Sequence, residues 1–210
     1  MKLYFVRHGR TEWNEEGRFQ GSNGDSPLLD SSLDQLKSLG QSLAHIPFDQ
    51  VYSSDQNRAI KSAEIIMREN QKHLQLHSTP ALREWQLGRL EGSKIATIEA
   101  IYPQQIQAFR SNLAQFKPSI FGAESLYATT KRIKDFVYSL EDSDYQNVLI
   151  VGHGASLVAS IRSLMGYGPG QLRASGGIKN SSLTILETED FKNFHLLTWN
   201  NLDHLEKLEA

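Results

Sequence analysis

The chain has 210 residues, 39% of them apolar and 22% charged, with a formal net charge of -2. That length buries a core without covalent staples and fits one domain with or without an insertion, and the near-neutral balance gives no global basic field for nucleic acid or an acidic lipid surface. Cysteine is absent, which excludes disulfides, a thiol nucleophile and thiolate metal ligands.

Met1 to Val6 is a short apolar run that Arg7-His8 breaks. It is too short for a secretory signal or a membrane helix, so the expected location is the cytoplasm, with no membrane partner. Leu3-Tyr4-Phe5-Val6 is continuous and apolar, the pattern of a fully buried parallel strand. The glycine-rich polar stretch from Gly9 to Asp30 reads as loop. Leu33, Leu36, Leu39, Leu43 and Ile46 recur at three or four residues and predict a helix over 32–44, which Pro47 ends. Val51-Tyr52 reads as a short strand. Ser53-Ser54-Asp55 offers N-caps for the next helix, whose apolar face is Ala59, Ile60, Ala63, Ile66 and Met67. Residues 74–78 alternate like a strand.

Residues 84–118 lack a strand pattern. Short helices over 95–102 and 104–113, parted by Pro103, suggest a helical cap inserted at about 93–122. A long helix is expected near 124–141, a second continuous apolar strand over Val148–Val151, and a helix over 155–165. Glycine-rich residues 166–177 read as loop, and 182–186 and 194–199 as final strands. Strands alternating with helices imply an α/β three-layer sandwich with a mostly parallel sheet, residues 1–210 forming a single domain.

Two strands end in a histidine beside glycine: Val6-Arg7-His8-Gly9 and Val151-Gly152-His153-Gly154. In open α/β sheets ligands bind beyond the carboxyl ends of strands, so both imidazoles can reach one crevice. Glycine at 9 and 154 lets backbone approach a ligand closely. Arg58 falls near the start of a helix, where the dipole favours anions. With Arg7 it offers two guanidinium forks suited to phosphate. His8 can attack as a neutral base, and neighbouring arginines disfavour its imidazolium form. Glu84 is the preferred proton donor, with Glu91 open as the alternative and a surface ion pair as the ordinary reading of either. Asn14 and Gln20 either contact ligand or hold turns. Trp85 either walls a pocket or packs the cap. His45, His73, His77, His195 and His204 are read as surface or packing residues.

Arg7-His8-Gly9-Arg10-Thr11 resembles the RHGxT signature of the histidine phosphatase superfamily, the phosphoglycerate-mutase-like proteins. Four fixed letters arise by chance in roughly one chain in a thousand of this length. The likeness extends through Arg18-Phe19-Gln20-Gly21, Asp25-Ser26-Pro27-Leu28, Tyr52-Ser53-Ser54-Asp55 with Arg58-Ala59, Leu82-Arg83-Glu84, Gly122-Ala123-Glu124-Ser125 and Asn180-Ser181-Ser182, to about residue 187. The resemblance implies a phosphatase of small phosphorylated metabolites, with His8 as phosphoryl acceptor and Glu84 as proton donor. Arg7, Arg58 and His153 would bind the phosphate, and Asn14, Gln20, Gly21 and Gly154 would line the substrate side. No metal or organic cofactor is expected, and the oligomeric state, a dimer included, stays open.

Arg10 departs from the pattern, since many relatives carry an acid there. Its place beside His8 suggests a contact with a second acidic group on the substrate. Leu29 and Ser32 replace a common threonine and glycine. The interval from Gly92 to Gly152 has no Arg-Arg pair, which favours hydrolysis over phosphoglycerate mutase chemistry, the alternative on this scaffold.

Overall fold

The computed structural model describes residues 1–208. Six strands, β1 (Lys2–Arg7), β2 (Gln50–Ser54), β3 (Leu76–Thr79), β4 (Asn147–Gly152), β5 (Leu183–Glu187) and β6 (His195–Asn201), form one sheet in the order β3-β2-β4-β1-β5-β6. The pairings β2–β3, β2–β4 and β1–β4 are parallel; β5 and β6 add antiparallel edges beside β1.

The continuous apolar runs are explained by burial on both faces. Leu3 and Phe5, with Val148 and Ile150, pack under α6 (Leu126–Tyr138) and α7 (Gly154–Leu164). Tyr4 and Val6, with Leu149 and Val151, pack under α2 (Asp30–Leu43) and α3 (Asn57–Arg68). Side chains alternate across a strand, so each of these strands feeds both cores. The chain leaves β1 and β2 toward the face of α2 and α3, but leaves β4 toward the face of α7. The crevice between β1 and β4 is therefore a switch point, where ligands bind in open sheets.

The expected loop over 9–30 contains a single helical turn, α1 (Glu12–Glu15). Thr11 Oγ1 accepts from Asn14 N and Asn14 Oδ1 accepts from Thr11 N, each at 3.3 Å, a reciprocal cap that stabilises even so short a turn. The expected caps Ser53, Ser54 and Asp55 do not cap α3. Pairing carries β2 through Ser54, and α3 begins later, at Asn57. Its first amides instead bind a carboxylate distant in sequence: Asn57 N and Arg58 N donate to Asp25 at 2.7 and 3.3 Å.

Helices α4 (Ile95–Ile101) and α5 (Pro103–Ser111) form where the two cap helices are expected. Pro103 occupies the first turn of α5, where no amide is needed. The question over Trp85 is resolved by burial. It is 0% exposed, lies edge-on to Phe109 and Phe116, and donates Nε1 to Glu124 O at 2.7 Å. It packs the cap. Among the described residues no helix is long and apolar enough to cross a membrane.

Candidate active site

Parallel pairing in register assembles the centre. Arg7 lies opposite Gly152, so the next residues, His8 and His153, leave the sheet side by side. Their ring centroids are 5.1 Å apart and both side chains are buried. His8 N donates to Gly152 O at 3.0 Å, and Asn180 Nδ2 donates to His8 O at 3.0 Å. Ser181, held at φ 58, donates its amide to Arg7 O at 3.0 Å. A serine in the left-handed region is strained, and this bond clamps the end of β1.

His8 Nδ1 lies 2.7 Å from Gly9 O. A carbonyl can only accept, so Nδ1 carries the proton and Nε2 keeps its lone pair. Burial, then Arg58 and Arg7, hold the His8 imidazolium well below the ordinary histidine range, against the opposing Gly9 bond. His153 is shifted the same way by burial, then by Arg58, His8, Arg7 and Arg132. Both ring nitrogens of His153 are buried without a partner, an orphaned polar group suited to an anion's oxygens.

These two shifts carry a stability prediction. Each histidine is neutral when folded and gains a proton more easily when unfolded, so acid favours unfolding. The stabilisation is complete above about pH 6.5 and is lost as pH falls from there toward the folded pKa values. Two such groups give a slope of up to about 2.7 kcal/mol per pH unit. Urea titrations at pH 7.5, 6.5 and 5.5 should show this slope, and a His8→Asn, His153→Asn double variant should lose most of it. An unchanged slope in the double variant would contradict the assignment.

Arg7 donates Nη1 to Ile178 O at 2.7 Å. Burial pushes its guanidinium down to about 10, with Glu84 opposing and Arg58 adding to the shift. Arg58, in α3, is 1% exposed, and its guanidinium is held by a loop distant in sequence. Its Nη1 donates to Gly24 O at 2.6 Å and Asp25 Oδ1 at 3.1 Å, and its Nη2 to Gly21 O at 3.0 Å. The Gln20 side-chain amide lies between Thr11 Oγ1, at 2.7 Å, and Arg58 Nη1, at 3.2 Å, and both contacts are satisfied when its nitrogen faces Thr11 and its oxygen faces Arg58.

Glu84 sits under the N-terminus of α7. Its Oε1 accepts from Ser156 N at 2.7 Å and Trp85 N at 2.8 Å, and its Oε2 from Ala155 N at 2.9 Å. Arg132 of α6 holds the segment from behind, donating to Ala81 O, Arg83 O and Glu84 O at 2.6–3.1 Å. Glu91 has different work. It accepts from Gly21 N at 2.9 Å and, more weakly, from Leu87 N and Asn23 N, pinning the loop whose carbonyls hold the Arg58 guanidinium.

Arg7 and Glu84 of this centre also line a cavity of about 200 Å³, to which Asn14, Gln20 and Gly154 are the other expected residues that contribute. A Cβ on Gly154 would stand 3.1 Å from Arg7 Cζ, so glycine leaves room for the guanidinium. Two expectations change. Gly21 does not line the cavity; its carbonyl supports Arg58 from below, and a side chain there would strike Trp85 O and Glu91. Arg10 is exposed and absent from the lining, because its carbonyl anchors Leu29 N and Ser32 Oγ, both at 2.9 Å, while its side chain points outward. His8, His153 and Arg58 are buried, and neither Arg58 nor any histidine is among the residues that line the cavity. Sequence reading overlooked the cations that do: Arg18, Arg110 and Arg173 come from three separate segments.

A desolvated imidazole bonded through Nδ1, set among guanidinium groups beyond the carboxyl ends of a switch-point sheet, makes a centre suited to an anion in an α/β protein. Comparison with known proteins narrows this class. Residues 3–202 match the profile of the histidine phosphatase superfamily, branch 1, and the chain belongs to that family. It is 32% identical over 207 residues to a putative phosphoserine phosphatase of Hydrogenobacter thermophilus, covering 99% of this chain and 98% of the relative. It is 29% identical to a probable phosphoglycerate mutase of Proteus mirabilis, covering 90% and 86%. The structure of a mycobacterial glucosyl-3-phosphoglycerate phosphatase superposes with a TM-score of 0.84 at 27% identity, covering 95% of this chain and 98% of that one.

Proposed function

We propose that the protein hydrolyses phosphomonoesters of small metabolites through a phosphohistidine on His8. The observation that carries this reading is the Nδ1 bond from His8 to Gly9 O, which leaves Nε2 unprotonated with its lone pair free. In the first step the Nε2 lone pair attacks phosphorus and the bond to the leaving oxygen breaks. Glu84 gives that oxygen a proton. In the second step Glu84, now a carboxylate, takes a proton from water, which attacks phosphorus and frees His8 and inorganic phosphate. Arg7, Arg58 and His153 hold the phosphoryl oxygens as charge spreads over them. The relatives named as phosphatases support hydrolysis.

Side-chain cations take the role that magnesium has elsewhere, so the reaction is expected to run without metal. Rapid acid-free quenching with a labelled ester should trap one acid-labile, base-stable phosphate on His8. EDTA should leave turnover within about twofold. Full inhibition by EDTA, reversed by added metal, would overturn the mechanism. A phosphoglycerate mutase is the second reading, favoured by the extra arginines over the cavity. Interconversion of 3- and 2-phosphoglycerate outpacing phosphate release would select it.

A further inference from the structure

The carbonyl that sets the His8 tautomer belongs to a glycine. Position 9 has no room for a side chain: a Cβ there would stand 2.9 Å from Ser32 Cβ and 3.0 Å from Leu36 Cδ1. Glycine is also the residue whose backbone turns most freely, so the Gly9 carbonyl is held by its contacts and not by its own sterics. The amide side of Gly9 is fixed from α3, where Ser62 Oγ accepts from Gly9 N at 3.1 Å and donates to Arg58 O at 2.6 Å. On the carbonyl side there are two donors, His8 Nδ1 at 2.7 Å and Asn180 Nδ2 at 3.3 Å, one for each lone pair.

Asn180 stands in the turn that enters β5. Because β5 runs antiparallel to β1, with Val6 opposite Leu183, residues entering β5 lie beside those leaving β1. The segment 178–181 uses that position in three more bonds. Ile178 O accepts from Arg7 Nη1 at 2.7 Å, Ser181 N donates to Arg7 O at 3.0 Å, and Asn180 Nδ2 donates to His8 O at 3.0 Å. The segment is fastened from behind, where Lys179 N donates to Asn200 Oδ1 of β6 at 2.7 Å. Asn180 Nδ2 also lies 3.2 Å from Asn14 Oδ1, which accepts from Thr11 N as well. All three atoms around that nitrogen are acceptors, so the place demands a donor. Asn180 is not among the residues that line the cavity.

We propose that Asn180 is a positioning residue: its amide nitrogen locks the Gly9 carbonyl against His8 Nδ1 and so keeps the nucleophilic lone pair on Nε2. This rests on the phosphatase reading of the His8 site, and adds to it a residue that acts through His8 without touching substrate.

The test is Asn180→Leu, which keeps the volume and removes the N–H donors; Asn180→Ala serves if leucine does not fit. Both should fold, because each carbonyl keeps another donor: His8 Nδ1 for Gly9 O, and Ser181 N, at 3.3 Å, for His8 O. Heteronuclear NMR of isotope-labelled histidine at neutral pH, with His8 identified by its absence from His8→Ala, reads which ring nitrogen carries the proton. The wild type should show Nδ1 protonated and Nε2 free, and the variants a mixture of the two tautomers. Phosphoenzyme formation from a labelled ester should fall by about tenfold to a hundredfold in the variants, with KM within about threefold. A wild-type His8 signature in the variants would make Asn180 only a fastening of the turn before β5 and would overturn the proposal, whatever happened to rate or stability. A tautomer mixture with phosphoenzyme formation within about threefold of the wild type would overturn its part in the reaction. With no ester turned over by the wild type the phosphatase reading fails, and the tautomer readout, which needs no substrate, alone upholds or overturns the clamp.

Discussion

A His8→Ala variant is expected to lose turnover by on the order of ten-thousand-fold or more while remaining folded, because no other group can form the phosphoenzyme. His153, the neighbouring imidazole, cannot substitute. Both its nitrogens are buried, and its ring leaves β4 one strand away from the backbone carbonyl that sets the His8 tautomer. The fold should survive because the structural bonds at position 8 are made by its backbone, to Gly152 O and from Asn180. Truncation also removes a buried imidazole whose protonated form the site disfavours, so the stability at neutral pH should change by no more than about 1–3 kcal/mol. Phosphate release, trapping of label on the protein, and thermal unfolding together check this. Activity within tenfold of the wild type, or label retained on His8→Ala, would remove His8 from the chemistry.

The parts of the site legible in the sequence are those that a single strand carries. Leu3–Val6 and Val148–Val151 are apolar on both faces because helices cover both faces. A histidine following such a strand must lie at its carboxyl end. What the local pattern did not reveal is that β4 inserts between β1 and β2, which turns two strand ends far apart in sequence into neighbours. Arg10 shows the opposite failure. It is next but one to His8 in the chain, yet the turn anchored on its own carbonyl directs the side chain to solvent. Adjacency in sequence is a poor guide once the chain leaves a strand.

The supports of the site were the least legible. Asp25 caps α3 and pairs with Arg58 across 33 residues. Arg132 braces the Glu84 segment from the middle of a helix, and Arg173 reaches over the cavity from a loop. Each is an ordinary polar residue in its own segment, with no periodicity or motif to distinguish it. Only tertiary contacts define its role. The family resemblance located the floor of the site, whereas the roof and the braces depend on how this chain packs its cap.

Glu84→Gln should separate the two acidic candidates through the leaving group. On alkyl phosphates, whose oxygen needs a proton as it departs, kcat/KM should fall by about a hundred- to ten-thousand-fold. On p-nitrophenyl phosphate, whose phenolate leaves unprotonated, the loss should stay below about tenfold. The ratio kcat/KM is the right measure, since it reports steps up to departure of the alcohol and excludes later hydrolysis of the phosphoenzyme. The substitution also has a structural cost. The carboxylate accepts N–H bonds at both oxygens, so an amide nitrogen must meet the amide of Ala155 on one side or those of Ser156 and Trp85 on the other. Such a donor conflict costs about 1–3 kcal/mol and lowers the rate with any ester. It therefore cannot by itself create a dependence on the leaving group. Glu91→Gln supplies the control: it loosens the loop at Gly21 that mounts Arg58, and should slow both esters alike. If Glu91→Gln instead produced the leaving-group dependence, and Glu84→Gln slowed both esters equally, the proton donor would be Glu91.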